Sequence, residues 1–245
     1  MRALCLALAS FVALLCGCSN YSRSVSGVSA LDKKVLWDFR TPHLRTAIRP
    51  APAETERVLS AVFPSSLRDF AECVASKAQG RRIASITQTA DGAFTAPGAK
   101  ERLYVVVGRP CSGTRGEIRL AVFSADRNVA DVLSPVGGLL LDTVDLNGDG
   151  KNEILFAASH RGEQSGFETA ALVQFDKNKL VTIEDFGQVY EDSCRSLAEP
   201  KSLMAVVLNY LPTPGGQMPK FTADIYRAPC PAPDQKPNWV RAEGK

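Results

Sequence analysis

One nine-residue run has the residue types and spacing to hold a hard cation. In Asp145-Leu146-Asn147-Gly148-Asp149-Gly150-Lys151-Asn152-Glu153, oxygen-bearing side chains fall at positions 1, 3, 5 and 9, with glycine at position 6. Calcium needs several oxygen ligands on a tightly curled backbone, and only glycine makes the sharpest part of that curl without strain. Lys151, at position 7, would offer its backbone carbonyl and turn its ammonium away. The plain alternative is a hairpin turn, since Asn-Gly and Asp-Gly are the strongest short hairpin signals. A bare turn needs only its central pair, however. It does not call for Asp145, Asp149 and Glu153 together, whose charges repel one another unless neutralised. Calcium is the cofactor this spacing predicts, with Asp145, Asn147, Asp149, Lys151 and Glu153 as its ligands.

Short apolar runs flank the loop, Leu139-Leu140-Leu141 before it and Ile154-Leu155-Phe156-Ala157 after it. Bounded by turn residues, they read as strands. An EF-hand would need flanking helices and a bidentate glutamate at position 12, where this chain has Phe156. Asp145 to Leu155 instead resembles the calcium site of FG-GAP repeats in integrin-like β-propellers. That family's pattern is D-x-[DN]-x-D-G-x-x-[DE] followed by an apolar strand. The resemblance implies a strand–loop–strand calcium site and a blade-like hairpin. No second copy of the loop occurs, so it does not imply a whole propeller.

The N-terminus predicts the address. Arg2 precedes the apolar run Ala3 to Leu15, which is too short to span a bilayer and reads as a secretory signal. Its ending, Leu15-Cys16-Gly17-Cys18, resembles a bacterial lipobox, which implies cleavage after residue 17 and lipidation of Cys18. Ordinary cleavage near Gly17 is the alternative. Ser19 after the cysteine resembles the outer-membrane sorting pattern, so the expected location is the envelope, on the periplasmic face of the outer membrane. Cleavage removes only Arg2 among the charged residues, taking the net charge from +3 to +2. That is too small to argue for nucleic acid or an anionic membrane surface. Four cysteines, Cys73, Cys111, Cys194 and Cys230, then remain in an oxidising compartment, and their spacings argue against zinc or redox motifs. Three connectivities are open; Cys73–Cys111 with Cys194–Cys230 is favoured because each pair brackets one contiguous segment.

Beyond Cys18, residues 18–52 read as lipid anchor and flexible tether, rich in Ser, Arg and Pro. Val35-Leu36-Trp37-Asp38-Phe39 interrupts it and is expected to pack on the domain as an edge segment. Residues 53–232 form the expected single domain, mainly β with a short helical N-terminal segment (α+β). Helical spacing runs from Glu54 to Ala78 with a break at Pro64, placing Val58, Leu59, Val62 and Phe63 on one face. Strand patterns follow at Ile83–Gln88, Leu103–Val107, Ile118–Phe123, Val129–Leu133, Phe167–Phe175, Leu180–Ile183, Met204–Tyr210 and Phe221–Tyr226. Turn signals stand between them at Ala90-Asp91-Gly92, Asp126-Arg127-Asn128, Asp176-Lys177-Asn178 and the Pro/Gly-rich 212–219. This spacing predicts antiparallel sheets or blade-like hairpins. Residues 233–245 read as a loose tail.

Catalytic motifs are absent from the sequence. The two histidines, His43 and His160, stand apart, and no nucleophile elbow, zinc-protease or phosphate-loop pattern occurs. Asp185, Glu191 and Asp192 supply carboxylates near Tyr190 but read as solvated loop acids. Arg81-Arg82 lacks the aromatic interleaving of a nucleic-acid platform. The expected role is non-enzymatic: an envelope lipoprotein that binds or supports a protein or glycan. Two alternatives stay open. One is an envelope hydrolase, or an accessory to one, using carboxylates near the loop. The other is an inhibitor-like module presenting the loop between Cys194 and Cys230.

Overall fold

The computed structural model describes residues 33–41, 50–62, 84–108, 117–134, 137–163, 165–197 and 200–242. The signal, Cys18, most of the tether with His43, the second predicted helix, Arg81-Arg82, Cys73 and Cys111 lie outside those residues.

The apolar runs of the sequence become strands that are buried on both faces. Strands β2 (Ala84–Gly92), β3 (Glu101–Gly108), β4 (Glu117–Ser124) and β5 (Arg127–Leu133) form an antiparallel sheet in that order. Leu103, Val105, Leu120 and Val122 point to one core, while Tyr104, Val106, Ala121 and Phe123 point to another. The second core is covered by helix α1 (Pro52–Val62), through Val58 and Val62. Pro52 suits the first helical turn, where its missing N–H would have had no partner, and Glu54 answers the positive end of the helix dipole there. Glu54 also accepts the Tyr104 hydroxyl at 2.5 Å, which ties the helix to β3.

The larger sheet contains β6 (Leu139–Val144), β7 (Glu153–Arg161), β8 (Gly166–Asp176), β9 (Lys179–Asp192), β10 (Ser202–Leu211), β11 (Lys220–Pro229) and β12 (Val240–Arg241), ordered β6 to β12. β1 (Lys34–Asp38) shares one edge of β10 with β9: β9 pairs with Leu203–Ala205 and β1 with Val207–Tyr210. Three register shifts between β8 and β9 bend the sheet, as bulges do. Within the bend, Leu36, Phe39, Leu155, Leu172, Val206 and Leu208 pack into one cluster. On the opposite side, Ile154, Phe156, Val173 and Phe175 meet the small sheet's Leu103, Val105 and Leu120. The run Ile154-Leu155-Phe156-Ala157 therefore feeds two cores alternately, which is why it does not alternate with polar residues. Gln88 bridges the sheets: its Oε1 accepts Leu140 N at 2.7 Å and its Nε2 donates to Leu140 O at 3.2 Å.

The chain is thus mainly β, with antiparallel sheets and one short helix among the described residues. Three local expectations change. Ala90-Asp91-Gly92 belongs to β2, paired as far as Gly92 with Glu101, and the turn comes later, at 94–98. β9 runs nine residues beyond the expected Leu180–Ile183, to Asp192, where exposed polar positions hide the alternation. The expected loose tail is anchored as far as residue 242. β12 pairs with β11, Trp239 packs on the core, and Arg241 bonds Asp224 at 2.5 Å. Val35–Phe39 is packed as expected, and it makes that stretch of the predicted 18–52 tether part of the folded body.

Candidate functional site

The loop between β6 and β7 is curled by its own side chains. Asp145 accepts Gly148 N at 2.7 Å through Oδ1 and Gly150 N at 3.0 Å through Oδ2. Asn147 Oδ1 accepts Asp149 N at 3.0 Å, and Asp149 Oδ1 accepts Lys151 N at 2.8 Å. These are successive Asx turns, the local bonds by which Asp and Asn compete with regular structure. Gly150 completes the curl at φ 84°, where a Cβ would be strained and would lie 3.2 Å from Pro97 Cβ. The loop also docks on residues 93–100: Gly98 N donates to Gly150 O at 2.8 Å, and Ala93 N to Asn152 Oδ1 at 2.8 Å. Glu101 holds that second loop, accepting Phe94 N at 2.7 Å and Thr95 N at 2.8 Å.

Glu153 is the unusual member. Its side chain is completely buried, and its carboxylate accepts Leu146 N at 2.7 Å and the Gln174 amide at 2.9 Å. These partners and its own backbone N–H are all neutral, so among the described residues the charge is hydrogen-bonded but not balanced. Burial pushes its pKa up, and the charges of Asp149 and Asp145 push the same way, against the Leu146 N–H. Asp149 moves oppositely. Burial would raise it, but the Lys151 N–H, the Asn147 amide and the Lys151 charge hold it below the usual carboxylate range.

The donor set suits a hard cation in type and in order along the curl, with Asp145, Asn147, Asp149, the Lys151 carbonyl and Glu153 on one short segment. Among the described residues, however, no three His, Cys, Asp or Glu side chains are grouped as a metal site. The carboxylates as placed serve backbone N–H groups instead.

Cys194 and Cys230 form a disulfide with Cα atoms 5.6 Å apart, one half of the favoured pairing. It joins the turn just after β9 to the residue just after β11, at the end of the β10–β11 hairpin where Ser202 pairs with Pro229; the 212–219 loop closes the opposite end of that hairpin, beyond Leu211 and Lys220. The disulfide therefore does not brace the loop as an inhibitor-like module requires. Asp185, Glu191 and Asp192 do not act as a set. Asp185 accepts Gly187 N, Glu191 accepts the Gln188 amide, and Asp192 accepts Cys194 N.

A cleft of about 340 Å³ at the far end of β7 and β8 is lined by three residues singled out in the sequence, His160, Tyr190 and Asp192, which no motif had joined. Register builds it from two cross-strand rows, Ser159–Glu168–Tyr190 and Arg161–Gly166–Asp192; the row between them, His160 opposite Phe167, directs its side chains to the other face of the sheet. The His160 ring stacks on Phe167 at 4.5 Å and 18°. Ser159 donates to Glu168 at 2.9 Å. Burial, helped by Asp192 and Glu168, raises the Tyr190 pKa, so its hydroxyl stays a donor. The available signal was the hairpin itself: pairing Arg161 with Gly166 puts His160 beside Phe167. Comparisons of this chain with protein-family models, with curated proteins and with solved structures find no match.

Proposed function

We propose that this chain is a lipid-anchored envelope protein with a binding role, and that one calcium ion completes its 145–153 loop. The observation that carries the calcium reading is Glu153, a fully buried carboxylate with only neutral partners and two further acids nearby. A buried charge without a counter-charge is costly, and a divalent cation is the counter-charge this donor set accepts. Asp145, Asn147, Asp149, the Lys151 carbonyl and Glu153 would hold it. Bound, it would supply positive charge and join β6 to β7, so its binding free energy would add to that of folding. The address rests on Leu15-Cys16-Gly17-Cys18 alone.

Thermal unfolding of the chain from Ser19 onward, in EDTA and then across a calcium series, tests the first part. The midpoint should rise with calcium in the wild type and stay fixed in Asp149→Ala. Coincident wild-type curves at millimolar calcium would reduce the loop to a turn. For the second part, a full-length Cys18→Ala variant should leave the membrane fraction, and its persistence there would refute the lipid anchor.

A further inference from the structure

We infer that the cleft at the ends of β7, β8 and β9 binds a small zwitterion of dipeptide length. Arg161 takes its carboxylate, Asp192 and Glu168 take its ammonium, and Gly166 is the floor it crosses. It rests on the proposed binding role, to which it gives a ligand class, and on none of the calcium-loop residues.

Register makes the floor. Directly opposite residues of paired strands share a face, so Arg161, Gly166 and Asp192 form one row and Ser159, Glu168 and Tyr190 the next. Both rows lie on the face that carries Leu155, Ala157, Ala170 and Leu172, so the cleft opens where that core cluster ends. Gly166 stands between Arg161 and Asp192 and has no side chain. A Cβ there would meet nothing closer than His160 O, at 3.6 Å, so a side chain has room and its absence leaves a gap. Two strand spacings set the β7 and β9 backbones roughly 10 Å apart across it. An extended dipeptide spans about 7 Å, which leaves the side chains of Arg161 and Asp192 to close the difference. The cleft's 340 Å³ is at the small end of ligand sites, which run from roughly 300 to 1,000 Å³.

Charge then selects the ligand. Among the described residues, neither Arg161 nor Arg195 has an ion-pair partner. The Glu168 carboxylate accepts the Ser159 hydroxyl and the Asp192 carboxylate accepts Cys194 N, both neutral donors. Opposite charges thus line one cleft without pairing directly. A lone anion there meets two carboxylates, and a lone cation meets two guanidiniums. A ligand with a charge of each sign at its two ends gains at both, through the stronger, charge-assisted kind of hydrogen bond. The Tyr190 hydroxyl, kept protonated by burial, adds a donor for the peptide carbonyl between those ends.

The walls are also fixed before any ligand arrives. The disulfide pins the 193–196 turn to the residue after β11, and Ser193 bonds Ser202 in both directions, at 2.8 Å and 3.0 Å. Gly162 N donates to Ser165 O at 2.8 Å, closing the turn from β7 to β8. Groups held in place lose less entropy on binding.

The test is a chemical-shift titration of the chain from Ser19 onward, in EDTA, with dialanine. N-acetyl-dialanine amide, the same peptide without either charge, is the control. Dialanine should give saturable shifts centred on Gly166 and its neighbours in the two rows, and the blocked peptide should not. Arg161→Gln and Glu168→Gln should each weaken binding about tenfold, as loss of a hydrogen bond to a charged group does. Gly166→Val suits a strand and fills the floor, so it should abolish binding without lowering the unfolding midpoint. Asp149→Ala should leave binding intact. No saturable shift with dialanine in folded protein would overturn the assignment. So would shifts mapping elsewhere, equal binding of the blocked peptide, or undiminished binding by Gly166→Val. Because EDTA is present throughout, a missing calcium response and a missing dialanine response are separate failures.

Discussion

The two ends of the β7–β8 hairpin handle charge in opposite ways. At one end, Asp145, Asp149 and Glu153 crowd into nine residues, with Lys151 the sole basic side chain of that run. At the other end, Arg161 and Arg195 offset Glu168 and Asp192 in one cleft. The nine residues of β7 separate these ends by roughly 30 Å at the usual strand rise. The loop's shape is made locally, by side chains bonding backbone two to five residues away, yet its charge is left unbalanced. The cleft balances its own charge but depends for shape on three strands and a disulfide. The loop thus leaves its acids without a counter-charge, whereas the cleft brings charges of both signs together across strands.

Breaking the disulfide tests whether the cleft end needs its staple. Cys194 and Cys230 stand 36 residues apart in sequence. Closing a loop of that size is worth about 3–4 kcal/mol on the chain-entropy account. Cys194→Ser with Cys230→Ser should lower the unfolding midpoint by roughly 6–16 °C at 2–4 °C per kcal/mol. Cleft binding should weaken with it, while the calcium response survives. A calcium response lost in the same variant would mean that the two ends are not independent.

Calcium is the next largest effect. At a hundredfold excess over Kd it should add about 2.7 kcal/mol, or roughly 5–11 °C. Scanning calorimetry of wild type and Asp149→Ala measures it. The charge of Glu153 gives the same end a pH signature. Its folded pKa is raised, so its stabilising contribution is full below the ordinary value of 4.5 and is lost as pH rises through the folded value. In EDTA, wild type should therefore lose stability relative to Glu153→Gln as pH climbs from 4.5. Calcium should flatten that difference, because the ion favours the charged form. Asp149 runs the other way, its pKa being depressed, and costs stability as pH falls. A wild-type curve parallel to Glu153→Gln in EDTA would show that Glu153's charge is not a burden.

Gly150→Ala should be milder, about 1–2 kcal/mol, from a non-glycine residue held at φ 84° with its Cβ against Pro97. The Gly98 amide, bonded to Gly150 O, should exchange faster, while amides beside the cleft keep their protection. Equal loss at both ends would blur the contrast between them.

What could be read from sequence follows the same division. The loop was legible because its donors are neighbours in the chain, and the disulfide because its cysteines bracket one hairpin. β3, β4 and β7 were legible as apolar runs, since each feeds two cores. β9 was legible only over Leu180–Ile183, because beyond it Glu184, Asp185 and Gln188 are exposed and the register slips three times against β8. The cleft was invisible for a related reason. Glu168 and Tyr190 become neighbours only through the β8–β9 register, which single-strand patterns do not encode. His160 stood apart from any partner in sequence, and only the β7–β8 register sets Phe167 opposite it.

The smallest expected effect on stability is the sharpest test of the contrast. Phe167 is substantially exposed and lies outside the three packed clusters, so its removal leaves little cavity. Its stacking with His160 is worth about 0.5–1.5 kcal/mol beyond area, and less where water already reaches the pair. Phe167→Ala should therefore lower stability by about 1 kcal/mol at most, measured by urea unfolding at fixed m. A loss above about 3 kcal/mol would instead put Phe167 in the fold's support, as expected of a buried aromatic. The stacked pair would then be packing, and the two ends of the hairpin would differ in charge alone.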